Sequence, residues 1–121
     1  MLVSQAARAL QAPVYVAGQL SGTEGYCEAI RSGVHVALSV AARLRGITVP
    51  DLPRATAFGA LLCYATDPLT VDYQPMHVNF GMMPLLEDSP RNKRMRYAAY
   101  AKRGNAALQA YREELAELGL I

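Results

Sequence analysis

The stretch AGQLSGTEGYCEAIRSG, residues 17–33, decides how the rest of the chain is read. Gly18, Gly22 and Gly25 punctuate a polar turn. From about Gly25 the pattern becomes helical, with Ile30, Val34, Leu38, Ala41 and Leu44 recurring at three- and four-residue steps. Upstream, residues 14–17 form a short apolar β-rich run that stops at Gly18, which fits a buried strand of a parallel sheet. Ser21 and Glu24 have capping-box spacing, and Thr23 is an alternative cap. Gly46 suits a left-handed C-cap, with Arg43 and Arg45 in the last turn where cations complement the helix dipole. Strand, glycine turn and long helix make a βα unit over residues 13–46.

Residues 47–121 read as a mostly helical extension. Pro50 and Pro53 stiffen a linker, Thr56 caps a short apolar helix to about Ala65, and Asp67–Pro68 ends it. Residues 69–73 are a short strand or an extended arm, and residues 74–84 an ordered, Met-rich loop around Asn79, Phe80 and Gly81. Ser89–Pro90 is a helix start. The last helix carries Tyr97, Tyr100, Leu108, Tyr111, Leu115 and Leu118 on one face, with Gly104–Asn105 as a place to bend. Residues 2–10 suggest a weakly patterned short helix.

A chain of 121 residues suits one domain or a piece of a larger one, and 52% hydrophobic against 18% charged residues argues against disorder. The apolar excess suggests a face meant for a partner or for a missing remainder. The net charge of +2 is unevenly spread: residues 1–90 hold five basic and seven acidic residues, residues 91–121 seven basic and three acidic. Cys27 and Cys63 are too far apart in sequence for a zinc knuckle or a disulfide framework. With no apolar run near the ~20 residues of a membrane span, the expectation is a cytoplasmic protein without a membrane or metal role.

A glycine turn that opens a helix presents backbone N–H groups and the positive end of the helix dipole, a place for an anion or an electron-rich carbonyl. Positions without side chains let a flat ring approach, and Gln19 and Glu24 add directional contacts. Turn geometry alone also accounts for these glycines, because the spacing is not the GxGxxG phosphate fingerprint.

Three further stretches lie in order behind the glycine turn: TAFGALLCYAT at 56–66, YQPMHVNFGMMPLLE at 73–87 and NKRMRYAAYAKR at 92–103. Together the four blocks resemble the folate-dependent tRNA uridine methyltransferases, the TrmFO or small Gid family, from about Val14 onward. The resemblance implies an enzyme that uses FAD, methylenetetrahydrofolate and NADPH or NADH to methylate C5 of a tRNA T-loop uridine. It implies an α/β fold in which residues 13–121 are the C-terminal portion of a Rossmann-like FAD-binding domain, with residues 1–12 poorly matched. It places Gly18, Gln19, Gly22, Glu24, Gly25 and Tyr26 against the flavin.

In that family the pyrophosphate-binding strand and the reactive cysteines lie upstream. The resemblance therefore implies a missing N-terminal portion as partner, an inactive isolated chain, and no catalytic role for Cys27 or Cys63. His77, Asn79 and Phe80 are expected at the folate substrate, with Phe80 stacking and the Asn79 amide on a pterin edge; packing of the loop is the alternative. His77 departs from the family's usual Asn, and Gly104–Asn105 from its usual Ala–Leu. Lys93, Arg94 and Arg96 are expected to meet tRNA phosphates, or else to form a solvated face. Tyr97 and Tyr100 are expected in the core. Two rivals stand beside this reading: a larger GidA-type flavoprotein that modifies the wobble uridine, and a non-enzymatic remnant or interaction module from a truncated gene.

Overall fold

The computed structural model describes residues 8–121 and is mostly helical: α1 spans Tyr26–Leu44, α2 Ala57–Thr66 and α3 Lys93–Glu117, with short 3-10 turns at Gly18–Ser21 and Phe80–Met82. The chain divides into two units. One holds the chain up to Thr48 together with Gln74–His77; the other holds Val49–Tyr73 and Val78–Ile121. Residues 8–10 are helical, while the rest of the helix expected at 2–10 lies outside the described residues.

In the first unit, the strand expected at 14–17 does not form. Ala17 is extended, at φ −138° and ψ 168°, yet Tyr15 is the only bridge residue in that run. Between described residues, a parallel bridge joins Thr23 and Met76, with Glu24 N–H donating to the Met76 carbonyl at 3.1 Å. The expected capping box is also absent, because Gly25 is the N-cap of α1 and no side chain bonds there. Ser21 is committed elsewhere, its hydroxyl donating to the Gly18 carbonyl at 2.7 Å.

The other end of α1 follows expectation. Gly46, at φ +68°, donates to the Arg43 carbonyl, and Ile47 N–H reaches back to Ala42 at 2.8 Å. This is the Schellman arrangement that satisfies the last carbonyls of a helix. α3 ends the same way, with Gly119 donating to Ala116 and Leu120 to Leu115.

The second unit has the larger core. Leu52, Phe58, Leu61, Tyr111 and Leu115 are buried in it, and Met83 and Tyr100 form a cluster with Ala60. Thr56 caps α2 as its sequence implies, accepting from Gly59 N–H at 3.0 Å while its hydroxyl donates to the Pro53 carbonyl at 2.7 Å. Residues 69–73 are an arm without strand pairing.

α3 starts three residues beyond Pro90, because the Asn92 side chain accepts from Met95 N–H and makes Asn92 the N-cap. The helix then runs unbroken through Gly104–Asn105. A β-carbon at Gly104 would lie 3.0 Å from the Ala55 carbonyl oxygen, so this glycine allows a close approach to the start of α2 and does not mark a bend.

Candidate functional site

The glycine turn is held by the small hydroxyl side chains of Ser21, Thr23 and Ser32, the first two in roles other than the expected helix cap and the third not singled out by the sequence pattern. Gly18 N–H donates to Ser32 Oγ at 2.6 Å, and Ser32 in turn donates to the Ala29 carbonyl, which ties the start of the turn to the second turn of α1. Thr23, only 1% exposed, donates to the Gly18 carbonyl alongside Ser21. Gly18, Gly22 and Gly25 all adopt positive φ. At Gly25, with φ 103° and ψ 152°, a β-carbon would collide with the Glu28 carboxylate and lie 3.0 Å from His77 Nδ1.

This geometry leaves a concavity of about 540 Å³ lined by Gln19, Gly25, Tyr26 and Ala29. It opens at the N-terminus of α1, whose first N–H groups have no partner within the helix and whose N-cap, Gly25, has no side chain to offer them. Glu28 is buried in the first turn, where a carboxylate complements the dipole. His77 Nε2 stands 3.6 Å from the Glu24 carboxylate, so the 74–77 segment meets the turn through this pair as well as through the Met76 bridge.

Of the four lining residues only Gly25 carries no side chain, and Ala29 carries a single methyl. Tyr26 is 91% exposed and Ile30 70%, and Leu20 and Leu44 are exposed as well. The first unit thus buries its small polar residues and leaves its apolar stripe uncovered.

The structure brings the remaining candidates together differently from the sequence grouping. His77 belongs to the glycine-turn unit, whereas Asn79 and Phe80 belong to the other. In that second unit Phe80 stacks on Tyr97, with ring centroids 4.3 Å apart and planes 14° from parallel, and meets Tyr100 at 5.4 Å. Tyr100 is core, as its stripe implied; Tyr97 is 36% exposed and is not. Lys93 Nζ lies 5.5 Å from the Tyr97 ring centroid.

Of the three expected phosphate contacts, Arg94 and Lys93 are exposed, but Arg96 directs one guanidinium nitrogen at the Pro90 and Arg91 carbonyls. Arg103 is likewise committed, donating to the Pro84 and Leu85 carbonyls while lying over Tyr100. That clamp, invisible to local pattern, fixes the 80–86 loop on α3.

Cys27 is exposed and Cys63 half-buried, and both are free thiols. Among the described residues no group of His, Cys, Asp or Glu is arranged to hold a metal ion, and no helix is long and apolar enough to cross a membrane.

Comparison with known proteins fits this picture. Residues 7–48 match the family model described as glucose inhibited division protein A. The chain is 40% identical over 101 residues to a protein of Thermotoga neapolitana, covering 84% of this chain and 23% of that one. It is 37% identical to proteins of Exiguobacterium sp., over 83% of this chain and 23% of the relative, and of Solibacter usitatus, over 84% and 24%. All three relatives bear the name methylenetetrahydrofolate–tRNA-(uracil-5-)-methyltransferase TrmFO. The chain spans about a quarter of the length of these curated relatives. No solved structure matches it.

Proposed function

Because the chain belongs to the TrmFO/Gid family over the quarter of its relatives' length that it spans, we propose that it forms the flavin-side wall of a tRNA (uracil-5-)-methyltransferase. The observation that carries this reading is the N-terminus of α1 at Gly25, opening on a concavity lined by Gln19, Gly25, Tyr26 and Ala29. FAD bound there would supply reducing equivalents for transferring the folate one-carbon unit to C5 of a T-loop uridine, with NADPH or NADH as its reductant.

The chain's own residues hold and polarise. Backbone N–H groups at the start of α1 favour negative charge on the ring system they face. Gln19 and Glu24 orient its edge, and Gly18, Gly22 and Gly25 keep the backbone clear of it. Ser32 and Thr23 keep the turn in shape. His77, paired with Glu24, is a substrate-side candidate next to this wall. Lys93 and Arg94 face tRNA phosphates.

The exposed stripe of Tyr26, Ile30 and Val34 is, in this reading, the side on which the remaining Rossmann-like portion of the FAD domain packs. A chain that carries only one wall has no complete pyrophosphate site and no catalytic residue. Purified residues 1–121 will therefore be colourless and will transfer no methyl group from methylenetetrahydrofolate to tRNA. Stoichiometric FAD in the isolated chain contradicts the one-wall reading.

A second reading has one observation in its favour: the family model matching residues 7–48 carries the GidA description. A GidA-type flavoprotein would share the turn and modify the wobble uridine. Nucleoside analysis of the tRNA product separates the two, since C5 methylation in the T-loop belongs only to the first.

A further inference from the structure

Residues 74–77 form a strap that lies on the glycine turn. Its backbone is fastened at Met76, whose carbonyl accepts from Glu24 N–H at 3.1 Å and whose N–H donates to the Gly22 carbonyl at 3.4 Å. The second of these is longer than the usual range of about 2.7–3.2 Å, so the backbone alone holds the strap weakly.

The last residue of the strap, His77, adds a side-chain hold. Its Nε2 stands 3.6 Å from Glu24 Oε2. Its other ring nitrogen borders a second carboxylate. A β-carbon placed at Gly25 would lie 3.0 Å from His77 Nδ1 and closer still to Glu28 Oε2, so these two atoms share the space that a side chain at Gly25 would fill. Each imidazole nitrogen thus has a carboxylate near it, one from the turn and one from the first turn of α1. The two differ in setting: the Glu24 side chain is 48% exposed and its pairing is screened by water, whereas Glu28 is buried. Residues 74–77 carry no other charge. The positive end of the α1 dipole opposes a cation here, but with about half a unit charge against two full ones.

We infer that His77 is a positioning residue for the glycine turn: as an imidazolium between Glu24 and Glu28 it clamps the 74–77 strap on the turn, and as a neutral imidazole it lets the strap loosen. An imidazolium donates from both nitrogens, whereas the neutral ring has one N–H and turns a bare lone pair toward the other carboxylate. Histidines change charge near neutrality. The hold is therefore complete on the acid side of that change and is lost as the pH rises through it. Gly25 both starts α1 and lines the concavity, so the seating of the strap decides how firmly that wall is held. The inference concerns the turn itself and stands whether or not a flavin binds beside it.

The test is amide hydrogen exchange by NMR on the full chain at about pH 6 and about pH 8, a window above the ordinary range of carboxylates. Each rate is divided by that of an unstructured peptide at the same pH. The reference is Ile47 N–H, which donates to the Ala42 carbonyl at the far end of α1. Glu24 and Met76 N–H will be roughly threefold better protected at the lower pH, the size expected of a partly exposed ion pair, and Ile47 will not change. His77→Asn keeps a donor but takes no charge, and it will give both amides the same protection at the two pH values. Glu28→Gln will shrink the ratio.

Equal protection of the wild type at the two pH values overturns the inference, and that comparison needs no variant to fold. A ratio that Ile47 shares overturns it as well, because the whole unit is then responding. A ratio that survives His77→Asn does the same and passes the effect to His35, the other histidine of the chain. Amides at 24 and 76 that are unprotected at both pH values mean that the strap does not sit on the turn, which also overturns it. Flavin binding is read separately, from the colour of the full-length protein.

Discussion

In a full-length protein carrying this segment, Gly25→Ala will leave little flavin on the enzyme after gel filtration. The backbone at position 25 sits at φ 103° and ψ 152°, a region that L side chains rarely enter, and holding alanine there costs about 1–3 kcal/mol. The added β-carbon also meets the Glu28 carboxylate and His77 Nδ1. The turn then either keeps its shape under strain or swings out of line with α1, and each outcome reduces the concavity's complementarity to a flat ring. A loss of about 1.4–2.8 kcal/mol is roughly a 10- to 100-fold drop in flavin affinity. Gly33→Ala is the control: nothing lies within 4 Å of a β-carbon there, and alanine in a helix favours α1 by up to about 1 kcal/mol. Full flavin occupancy in Gly25→Ala removes the turn from the cofactor site.

Gly59→Ala will destabilise the chain itself by about 3 kcal/mol, against the direction that helix propensity alone gives. Position 59 lies in the first turn of α2, where alanine would ordinarily be better than glycine by about 1 kcal/mol. Here the β-carbon collides with the Pro53 carbonyl and stands 2.6 Å from Thr56 Oγ1. Those two atoms, with Gly59 N–H, are the cap that starts the helix. Relief of the clash breaks the cap, worth about 1 kcal/mol, and pushes α2 off the linker, an overpacking cost of about 1–3 kcal/mol. Urea unfolding of residues 1–121, with Thr56→Ala as the milder comparison, measures it. A Gly59→Ala chain as stable as wild type means the linker and α2 do not pack as described.

These two glycines also show how far the sequence could be read. The extent of α1, the Gly46 cap and the Thr56 cap were legible because each is decided by residues within a few positions of one another. The reason for Gly104 was not, since it lies in a carbonyl nearly fifty residues upstream, at Ala55. Ser32 escaped notice for a similar reason: a serine inside an apolar helix carries no mark that its hydroxyl accepts from Gly18.

Periodicity identified an apolar stripe on α1 but did not say what covers it, and Ile30 and Leu44 are exposed. The strand at 14–17 failed in the same way, because β-rich composition records a preference for a sheet and a sheet is made by other segments. At the candidate site, the glycine turn was legible as a unit. The grouping of His77 with Asn79 and Phe80 followed their closeness in sequence, and the fold assigns them to different units.

The central claim is that this chain is the flavin-side wall of a T-loop uridine methyltransferase. The direct measurement is a chimera in which residues 14–121 replace the matching segment of the Thermotoga neapolitana relative, to which this chain is 40% identical over 101 residues. Purified chimera is assayed for bound FAD and for methyl transfer from methylenetetrahydrofolate to C5 of the T-loop uridine of a tRNA transcript. The account predicts a yellow protein that methylates that uridine. A folded chimera that binds tRNA but holds no flavin, or holds flavin and leaves the T-loop uridine unmethylated, contradicts it.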